Sequence, residues 1–306
     1  MKQTYYSNGK LFITGEYVVL DGAKAFALPT RFGQSLIVEK GEGKRIVWKS
    51  YDSDKSVWFE DVIAFDEIKT EKATSEIETV KTTLIKILHE AYLLNPDFIE
   101  ASEGYIITTE LTFPRFWGLG TSSTLINNIA QWAQIDAFQL LDNSFGGSGY
   151  DIACAQNDTP LLFWREAGQP RVEKIDFNPS FGDNLYFVYL NKKQSSKAAI
   201  ASYYAKQNNV SKVVVAIDAI TEKAIHAKGL ITFAKQLEKH EAIMSEVLEM
   251  ETVKERFFHD FEGTVKSLGA WGGDFVLVVS ESDPTRYFEE RGFKTIIPFR
   301  EMCLVD

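Results

Sequence analysis

The pattern of apolar and polar positions over the first fifty residues predicts β-strands. Short β-rich runs at 11–13, 17–20 and 35–38 are separated by glycines, and residues 45–51 form a further candidate strand. The stretch 52–75 is polar, acidic and weakly patterned, so a loop with short strand pieces is expected there.

Helical periodicity begins after that stretch. Val80, Leu84 and Leu88 recur at every fourth position, and Asn95-Pro96 ends the helix that they predict. The remaining pattern predicts a strand at 104–112, a helix at about 122–134, strands at 160–164 and 185–190, helices at 211–228, 231–249 and 253–267, a strand at 275–280, a short helix at 284–291 and a last strand at 295–299.

Strands dominate the first half of this order and helices the second, which favours an α+β fold over a regular βαβ array. A chain of 306 residues is long enough for two domains. The polar stretch 165–169 contains Gly168 and indicates the boundary, so the predicted domains are residues 1–167 and 168–306.

Composition narrows the class of protein. Hydrophobic residues make up 45% and charged residues 25% of the chain, as in a globular protein with a core. A net charge of −10 argues against a nucleic-acid partner. The chain shows no apolar run long enough to cross a membrane and no signal-peptide core, and its two cysteines are too few for a disulfide scaffold. We therefore expect a cytoplasmic protein with a small-molecule substrate and no nucleic-acid or membrane partner.

The loop before the helix at 122–134 has the composition of a phosphate-binding turn. It reads Gly118-Leu119-Gly120-Thr121-Ser122-Ser123. Glycine lets a backbone approach a ligand closely, and the free N–H groups and dipole at a helix N-terminus favour an anion. The loop is not a Walker A motif, because no Gly-Lys-Ser/Thr follows the glycines, and a plain capped helix after a glycine turn is the alternative.

A second stretch places one carboxylate among small residues. It reads Gly146-Gly147-Ser148-Gly149-Tyr150-Asp151. The small residues would let Asp151 approach a substrate and accept a proton from an attacking hydroxyl. A turn position or a helix N-cap is the alternative role for the same aspartate.

Two further stretches have both ligand-facing and purely structural interpretations. The sequence Gly269-Ala270-Trp271-Gly272-Gly273-Asp274 precedes the strand at 275–280 and is either a ligand-facing loop or a tight turn. Lys10 and Glu16 bracket the apolar run at 11–13, where each is either a site residue or a surface charge.

These four stretches together resemble the motifs of the GHMP kinases, the family of galactokinase, homoserine kinase, mevalonate kinase and phosphomevalonate kinase. The segment from Gly9-Lys10 to Gly15-Glu16-Tyr17 is similar to the first motif, 118–123 to the second and 269–273 to the third. The segment 147–151 is similar to the one that contains the catalytic aspartate of mevalonate and phosphomevalonate kinases. The matches follow the family's chain order and span residues 8–275.

The resemblance implies a two-domain kinase of the GHMP fold, with its active site in the cleft between the domains. It implies that the phosphates of ATP bind to Gly118, Leu119, Gly120, Thr121, Ser122 and Ser123, with the Ser122 hydroxyl facing Mg²⁺. Asp151 would act as catalytic base or orienting carboxylate. Lys10 would pair with it and stabilise developing charge, since phosphoryl transfer depends mainly on positioning and electrostatics.

On the substrate side the resemblance implies contacts from Lys10, Glu16, Ser148, Gly149, Asp151, Ser196, Gly272 and Gly273. Ser196 belongs to the loop 192–197, whose three lysines suit a carboxylate or phosphate unless the loop is a solvated basic turn. Glu16-Tyr17 and the segment 147–151 are closer to phosphomevalonate kinases than to mevalonate kinases. The implied function is ATP-dependent phosphorylation of mevalonate or phosphomevalonate in isoprenoid biosynthesis.

Some positions depart from the family's pattern. Trp271 and Asp274 stand where the third motif usually has glycine: the tryptophan would narrow the phosphate pocket or stack on substrate, and Asp274 would repel phosphate if it pointed inward. The acidic second metal ligand of mevalonate kinases has no clear match, with Gln139 and Asp142 near its expected place. The alternatives are a diphosphomevalonate decarboxylase, a homoserine or sugar kinase, and a non-catalytic relative, and a homodimer is left open.

Overall fold

The computed structural model describes residues 2–71, 79–192, 200, 203–204 and 210–305. The chain forms two compact units. The first unit comprises Met1–Gly9, Phe32–Arg115 and Leu119–Gln156, and the second comprises Lys10–Arg31, Phe116–Gly118 and Asn157–Asp306. Their extents differ from 1–167 and 168–306, because two early segments of the chain belong by their contacts to the second unit.

The strands of the described residues are β1 (Gln3–Thr14), β2 (Ala25–Lys40), β3 (Arg45–Tyr51), β4 (Val57–Ala64), β5 (Tyr105–Leu111), β6 (Leu161–Glu166), β7 (Gln169–Lys174), β8 (Leu185–Tyr189), β9 (Thr264–Ser267), β10 (Phe275–Val279) and β11 (Ile296–Pro298).

The α-helices of the same residues are α1 (Phe65–Thr70), α2 (Val80–Leu94), α3 (Asp97–Glu100), α4 (Thr121–Ala133), α5 (Ala137–Ser144), α6 (Tyr150–Gln156), α7 (Val210–Ile225), α8 (Leu230–Leu248), α9 (Val253–Phe257), α10 (Thr285–Glu289) and α11 (Phe299–Met302). Two short 3₁₀ helices lie at Val18–Asp21 and Gly182–Asn184.

In the first unit, β4, β3, β5 and the C-terminal part of β2 lie side by side in that order. The β3–β5 pair is parallel, and the other two pairs are antiparallel. Helices α2 and α4 bury their apolar faces in one core with Trp48 of β3. Within this core Trp132 of α4 packs edge-on against Phe98 and Tyr105, with ring centroids 4.9 Å apart. This packing fixes the axis of α4, which starts immediately after the glycine loop.

In the second unit, β11, β8, β10 and β9 form an antiparallel sheet in that order. All residues of β10 are buried, so this strand is covered on both faces. Helices α7 and α8 pack against each other, and α8 also contacts β9. The first residues of β2, Ala25–Ala27, pair with β6, which forms a hairpin with β7.

Three sequence-based predictions of elements are wrong. The predicted strand at 17–20 is a tight turn at Tyr17 followed by the first 3₁₀ helix. The stretch 52–75 was expected to be a loop with short strand pieces. It contains strand β4, whose bounds were not recognisable because most of its residues are exposed or half-buried, and helix α1, which was not predicted. The predicted helix at 253–267 ends at Phe257, and β9 follows it.

The predicted strands at 11–13 and 35–38 lie within β1 and β2, which begin eight and ten residues earlier, and the other predicted elements are confirmed to within a few residues. The strand at 45–51 is β3, and the helix at about 122–134 is α4. The polar stretch 165–169 is the turn between β6 and β7, inside the second unit. Among the described helices, none is at once long enough and apolar enough to cross a membrane.

Candidate functional site

The glycine loop before α4 leads into a helix that no side chain caps. Gly120 is the N-cap residue, with φ 96°, and Gly118 has φ 71°. Both angles lie in the left-handed region, which favours glycine. The hydroxyls of Ser123 and Thr124 do not cap the helix, because they donate back to the Gly120 carbonyl. The first-turn N–H groups of α4 are therefore available to an anion.

Two hydroxyl residues of this first turn have the properties that phosphate binding requires. Ser122 is exposed, so its hydroxyl can reach a ligand. The Thr121 hydroxyl is buried and has no hydrogen-bond partner among the described residues. A buried hydroxyl without a partner costs free energy, which a bound phosphate oxygen would recover. The arrangement thus fits the triphosphate of a nucleotide.

A network of buried polar side chains connects α4 to β1, β2 and α6. The side chain of Asn127 donates to Ser7 Oγ at 2.8 Å, and Ser7 Oγ donates to Asn128 Oδ1 at 2.8 Å. Asn128 also donates to the Gln34 carbonyl of β2 at 2.9 Å. The amide of Gln156 at the end of α6 donates to Asn127 at 3.0 Å. Because these buried groups are mutually satisfied, the network fixes the register of α4 on β1 and β2 and ties α6 to it.

Asp151 lies in the first turn of α6, directly after a turn that only glycine suits. Gly147 and Gly149 have φ values of 112° and 98°. Ser148 and Gly149 are buried, whereas the Asp151 side chain is half-buried. The aspartate is therefore partly accessible on a helix that the Gln156 amide anchors to α4. The position of Asp151 in the first turn of α6 is compatible with a role as general base and also with a structural role at the start of the helix.

The carboxylate of Asp274 lies against the glycine loop within the second unit. A Cβ atom added to Gly118 would lie 2.4 Å from Asp274 Cγ and Oδ2. Gly118 is thus required both for its φ and because the carboxylate occupies the space of a side chain. Asp274 itself has φ 52°, in the left-handed region. A negative charge beside a phosphate loop favours phosphate that carries a bound cation over bare phosphate.

The first motif places Lys10 and Glu16 in different environments. Lys10 is half-buried near the middle of β1, and Glu16 is only 1% exposed. Glu16 Oε1 lies 2.6 Å from Lys266 Nζ, and Glu16 Oε2 lies 3.1 Å from His240 Nε2. The predicted substrate contact of Glu16 has no support in this arrangement, because its carboxylate faces internal partners and not solvent.

Sequence reasoning missed the partners of Glu16. Lys266 in β9 is fully buried, donates to the Ser267 carbonyl and lies 3.4 Å from Glu241 Oε1. Glu241 Oε2 accepts a hydrogen bond from Ser267 Oγ at 3.0 Å. The buried lysine stands three residues before the third motif, but its sequence neighbourhood does not distinguish it from an exposed lysine on a helix.

The charge states of this cluster follow from its burial. Burial raises the pKa of the Glu241 carboxyl to about 7, although the Lys266 ammonium lowers it in part. Burial also raises the pKa of Glu16, but Lys266 and His240 outweigh it, so the net pKa is lowered. Burial, the largest cause, and the nearby ammonium lower the pKa of His240, although Glu16 opposes this shift.

The turn at Tyr17 connects the first motif to the third. Tyr17 has φ 62° and ψ −54°, and the Val18 N–H donates to the Glu16 carbonyl at 2.7 Å. These features define a γ-turn of positive φ, which is rare and strained for a residue with a side chain. The Trp271 N–H donates to the Tyr17 hydroxyl at 3.1 Å. Burial raises the pKa of that hydroxyl to about 12, so it stays protonated.

Trp271 does not have the role that the sequence suggested. Its side chain is 4% exposed and packs in a core with Tyr17, Ile220 and Met244. The prediction that it stacks on a substrate is wrong, because the ring is covered by the protein's own side chains. Gly272 follows it with φ 84° and is half-buried, and Gly273 is buried.

Part of the predicted site lies outside the described residues. This part comprises Ser196 and most of the lysine loop. Among the described residues, the positions considered for a second metal ligand do not belong to a metal-binding group. Gln139 and Asp142 are exposed on α5. Within the described ranges, no group of three or more His, Cys, Asp or Glu side chains is arranged to hold a metal ion. Mg²⁺ bound here would take most of its ligands from phosphate and water, as it often does.

Comparison with solved structures identifies the fold. Methanococcus jannaschii mevalonate kinase is 18% identical and has a TM-score of 0.69, over 97% of this chain and 96% of that chain. The Streptococcus pneumoniae phosphomevalonate kinase in complex with phosphomevalonate and AMPPNP is 13% identical, with a TM-score of 0.68 over 94% and 95% of the two chains. Lactococcus lactis galactokinase complexed with galactose is 14% identical, with a TM-score of 0.68 over 97% and 94%.

These likenesses confirm the α+β class and the resemblance to GHMP kinases at the level of the fold. No protein-family model and no curated protein matches the chain. The chain therefore has the GHMP kinase fold, in which the same scaffold accommodates different acceptor molecules.

Proposed function

We propose that this protein is an ATP-dependent small-molecule kinase that phosphorylates mevalonate or phosphomevalonate. The observation that carries the proposal is the uncapped N-terminus of α4, with glycines of positive φ before it and the buried Thr121 hydroxyl without a partner among the described residues. These features fit nucleotide phosphates. The fold shared with mevalonate kinase and with phosphomevalonate kinase supports the choice of acceptor.

In the proposed reaction the acceptor oxygen forms a bond to the γ-phosphorus of ATP, and the bond from that phosphorus to the ADP oxygen breaks. Asp151 accepts the proton when the acceptor is a hydroxyl. A phosphate acceptor is already anionic and brings no hydroxyl proton, so the role of Asp151 as proton acceptor applies only to a hydroxyl acceptor. Lys10 stabilises negative charge on the transferred group, and the α4 N–H groups bind the phosphates that remain with ADP.

Mg²⁺ would be held by the Ser122 hydroxyl together with the nucleotide phosphates, and when bound it neutralises charge on them. The exposure of Ser122 supports this assignment. The Asp274 carboxylate lies next to Gly118, the first residue of the glycine loop, and its charge gives a physical reason for the protein to prefer the cation-bound nucleotide.

The test is an ADP-release assay with Mg-ATP and, in parallel, mevalonate, phosphomevalonate and mevalonate diphosphate, with CO₂ measured in each reaction. Selective ADP release with one of the first two compounds supports the proposal and identifies the acceptor. Release of CO₂ from the third would indicate a decarboxylase instead. If none of the three compounds is turned over while calorimetry shows ATP binding, the proposed acceptor becomes homoserine or a sugar. Absence of ATP binding would indicate a non-catalytic protein.

A further inference from the structure

The buried cluster in the second unit consists of Glu16, His240, Glu241 and Lys266, none more than 4% exposed. Its members come from three places in the chain: the end of the first motif, helix α8 and strand β9. A buried ionic cluster adds little stability compared with apolar residues of the same volume. A contribution to stability alone therefore does not explain the presence of this cluster.

The cluster contacts the N-terminal side of a strained turn. Glu16 is the residue before the γ-turn at Tyr17, and its carbonyl closes that turn. His240 Nε2 lies 3.0 Å from the Gly15 N–H as well as beside the Glu16 carboxylate. A strained backbone persists only where the surroundings over-determine it. The side chains of Glu16 and His240 therefore supply restraint at the point where the turn needs it.

The same cluster also restrains the start of the third motif. Lys266 Nζ donates to the Ser267 carbonyl at 2.5 Å, and the Ser267 hydroxyl donates to Glu241. Ser267 ends β9, and the loop to Trp271 begins at the next residue. The Trp271 N–H then returns to the Tyr17 hydroxyl. First and third motifs are thus joined twice, once through the ion pair and once through this hydrogen bond.

We propose that Glu16, His240, Glu241 and Lys266 are positioning residues that hold the Tyr17 turn and the loop 268–273 in the arrangement in which Gly272 and Gly273 meet the acceptor substrate. The functional half of this inference rests on the proposed kinase activity, and the structural half does not. The cluster acts through the backbone of the two motifs and touches no substrate itself, because its side chains are buried.

Hydrogen–deuterium exchange tests the structural half without any substrate. Glu16→Gln removes the charge that faces Lys266, and Tyr17→Phe removes only the hydroxyl that accepts from Trp271. We expect each to speed exchange in the peptide 268–274 by about tenfold, the effect of losing one hydrogen bond. The peptide 121–133, in the other unit, should exchange at the parental rate. Lys235→Met, at an exposed position on α8, is the matched control and should change neither peptide.

Kinetics tests the functional half. In the same variants we expect KM for the acceptor to rise by about tenfold to a hundredfold, as for a misplaced binding group. ATP affinity, measured by calorimetry, should stay within about twofold, because the α4 N-terminus is unaffected. A variant that is only less stable would instead lose acceptor turnover and ATP binding together, in proportion to its unfolded fraction. Tyr17→Phe keeps all cluster charges and so remains informative if Glu16→Gln fails to fold.

Unchanged exchange of the peptide 268–274 in folded Glu16→Gln would overturn the inference, whatever the result for Tyr17→Phe. Faster exchange with an unchanged acceptor KM would overturn its functional half. If the parent protein turns over none of the compounds, the proposed function fails, but the exchange experiment still decides whether the cluster positions the loop.

Discussion

Replacing Glu241 by glutamine should remove the pH dependence that this buried carboxyl imposes on stability. Burial raises the pKa of Glu241 to about 7 from 4.5, with Lys266 opposing the shift and Glu16 adding to it. Between those two pH values the folded protein keeps a proton that the unfolded chain releases. Stability from this group is therefore greatest below pH 4.5 and is lost as pH rises to about 7.

The magnitude follows from the size of the shift. Each pKa unit corresponds to about 1.4 kcal/mol, so the shift lowers the free energy of unfolding by about 3 kcal/mol between pH 4.5 and pH 8. A glutamine side chain does not titrate, so the variant does not lose this free energy of unfolding as the pH rises. Relative to the parent, Glu241→Gln should thus gain about 3 kcal/mol over that pH range, whatever its stability at the acidic end.

The assay is equilibrium unfolding in urea at pH 5, 6, 7 and 8, with the parent and the variant compared at each pH. The difference between the two proteins is the informative quantity, because His240 titrates in the opposite sense. Its pKa is lowered, so its own contribution to stability is lost as pH falls. Glu246→Gln, at an exposed position on the same helix, controls for a generic change of charge.

A difference that stays constant within about 0.5 kcal/mol across this pH range would refute the reasoning. It would mean that Glu241 is ionised throughout, and that Lys266 stabilises two carboxylates instead of one. If the stability of Glu246→Gln and of Glu241→Gln changed with pH in the same way relative to the parent, burial of Glu241 would be excluded as the cause of the effect.

The remaining predictions concern the proposed chemistry and the glycine loop. Asp151→Asn should lower kcat by about 10²–10⁴-fold with ATP affinity nearly unchanged if the aspartate is a general base, whereas Asp158→Asn at an exposed position should have no effect; a loss below about tenfold would count against that role. Ser122→Ala should raise the Mg²⁺ concentration needed for half-maximal activity, and an unchanged Mg²⁺ dependence would exclude the hydroxyl as a ligand. Gly118→Ala should weaken ATP binding in calorimetry by about tenfold or more, since its Cβ would meet the Asp274 carboxylate and its φ disfavours alanine; adding Asp274→Gly should restore part of the affinity, and absence of any rescue would mean that the contact is not the cause.

Local sequence determined much of the framework of this protein. The glycines of the predicted loops at 118, 120, 147, 149 and 272 all have positive φ, because this requirement depends only on the residue and its immediate neighbours. Helix α4 and strand β3 were predicted nearly to the residue, because their apolar periodicity or alternation persists over several residues. The bounds of strand β4 could not be predicted, because exposure on both faces removes that periodicity.

Only the tertiary structure decided the environment of the charged and aromatic site residues. Glu16 and Lys266 are 250 positions apart in sequence, and nothing near either one indicates a buried ion pair. The sequence places Trp271 in a loop that could face a ligand, whereas its ring lies in a core with Tyr17. The carboxylate of Asp274 meets Gly118 for the same reason: whether a side chain faces solvent, a ligand or another side chain depends on which distant segments the fold brings together. Local periodicity fixes the elements, but long-range packing and the cost of burying charge fix these partners.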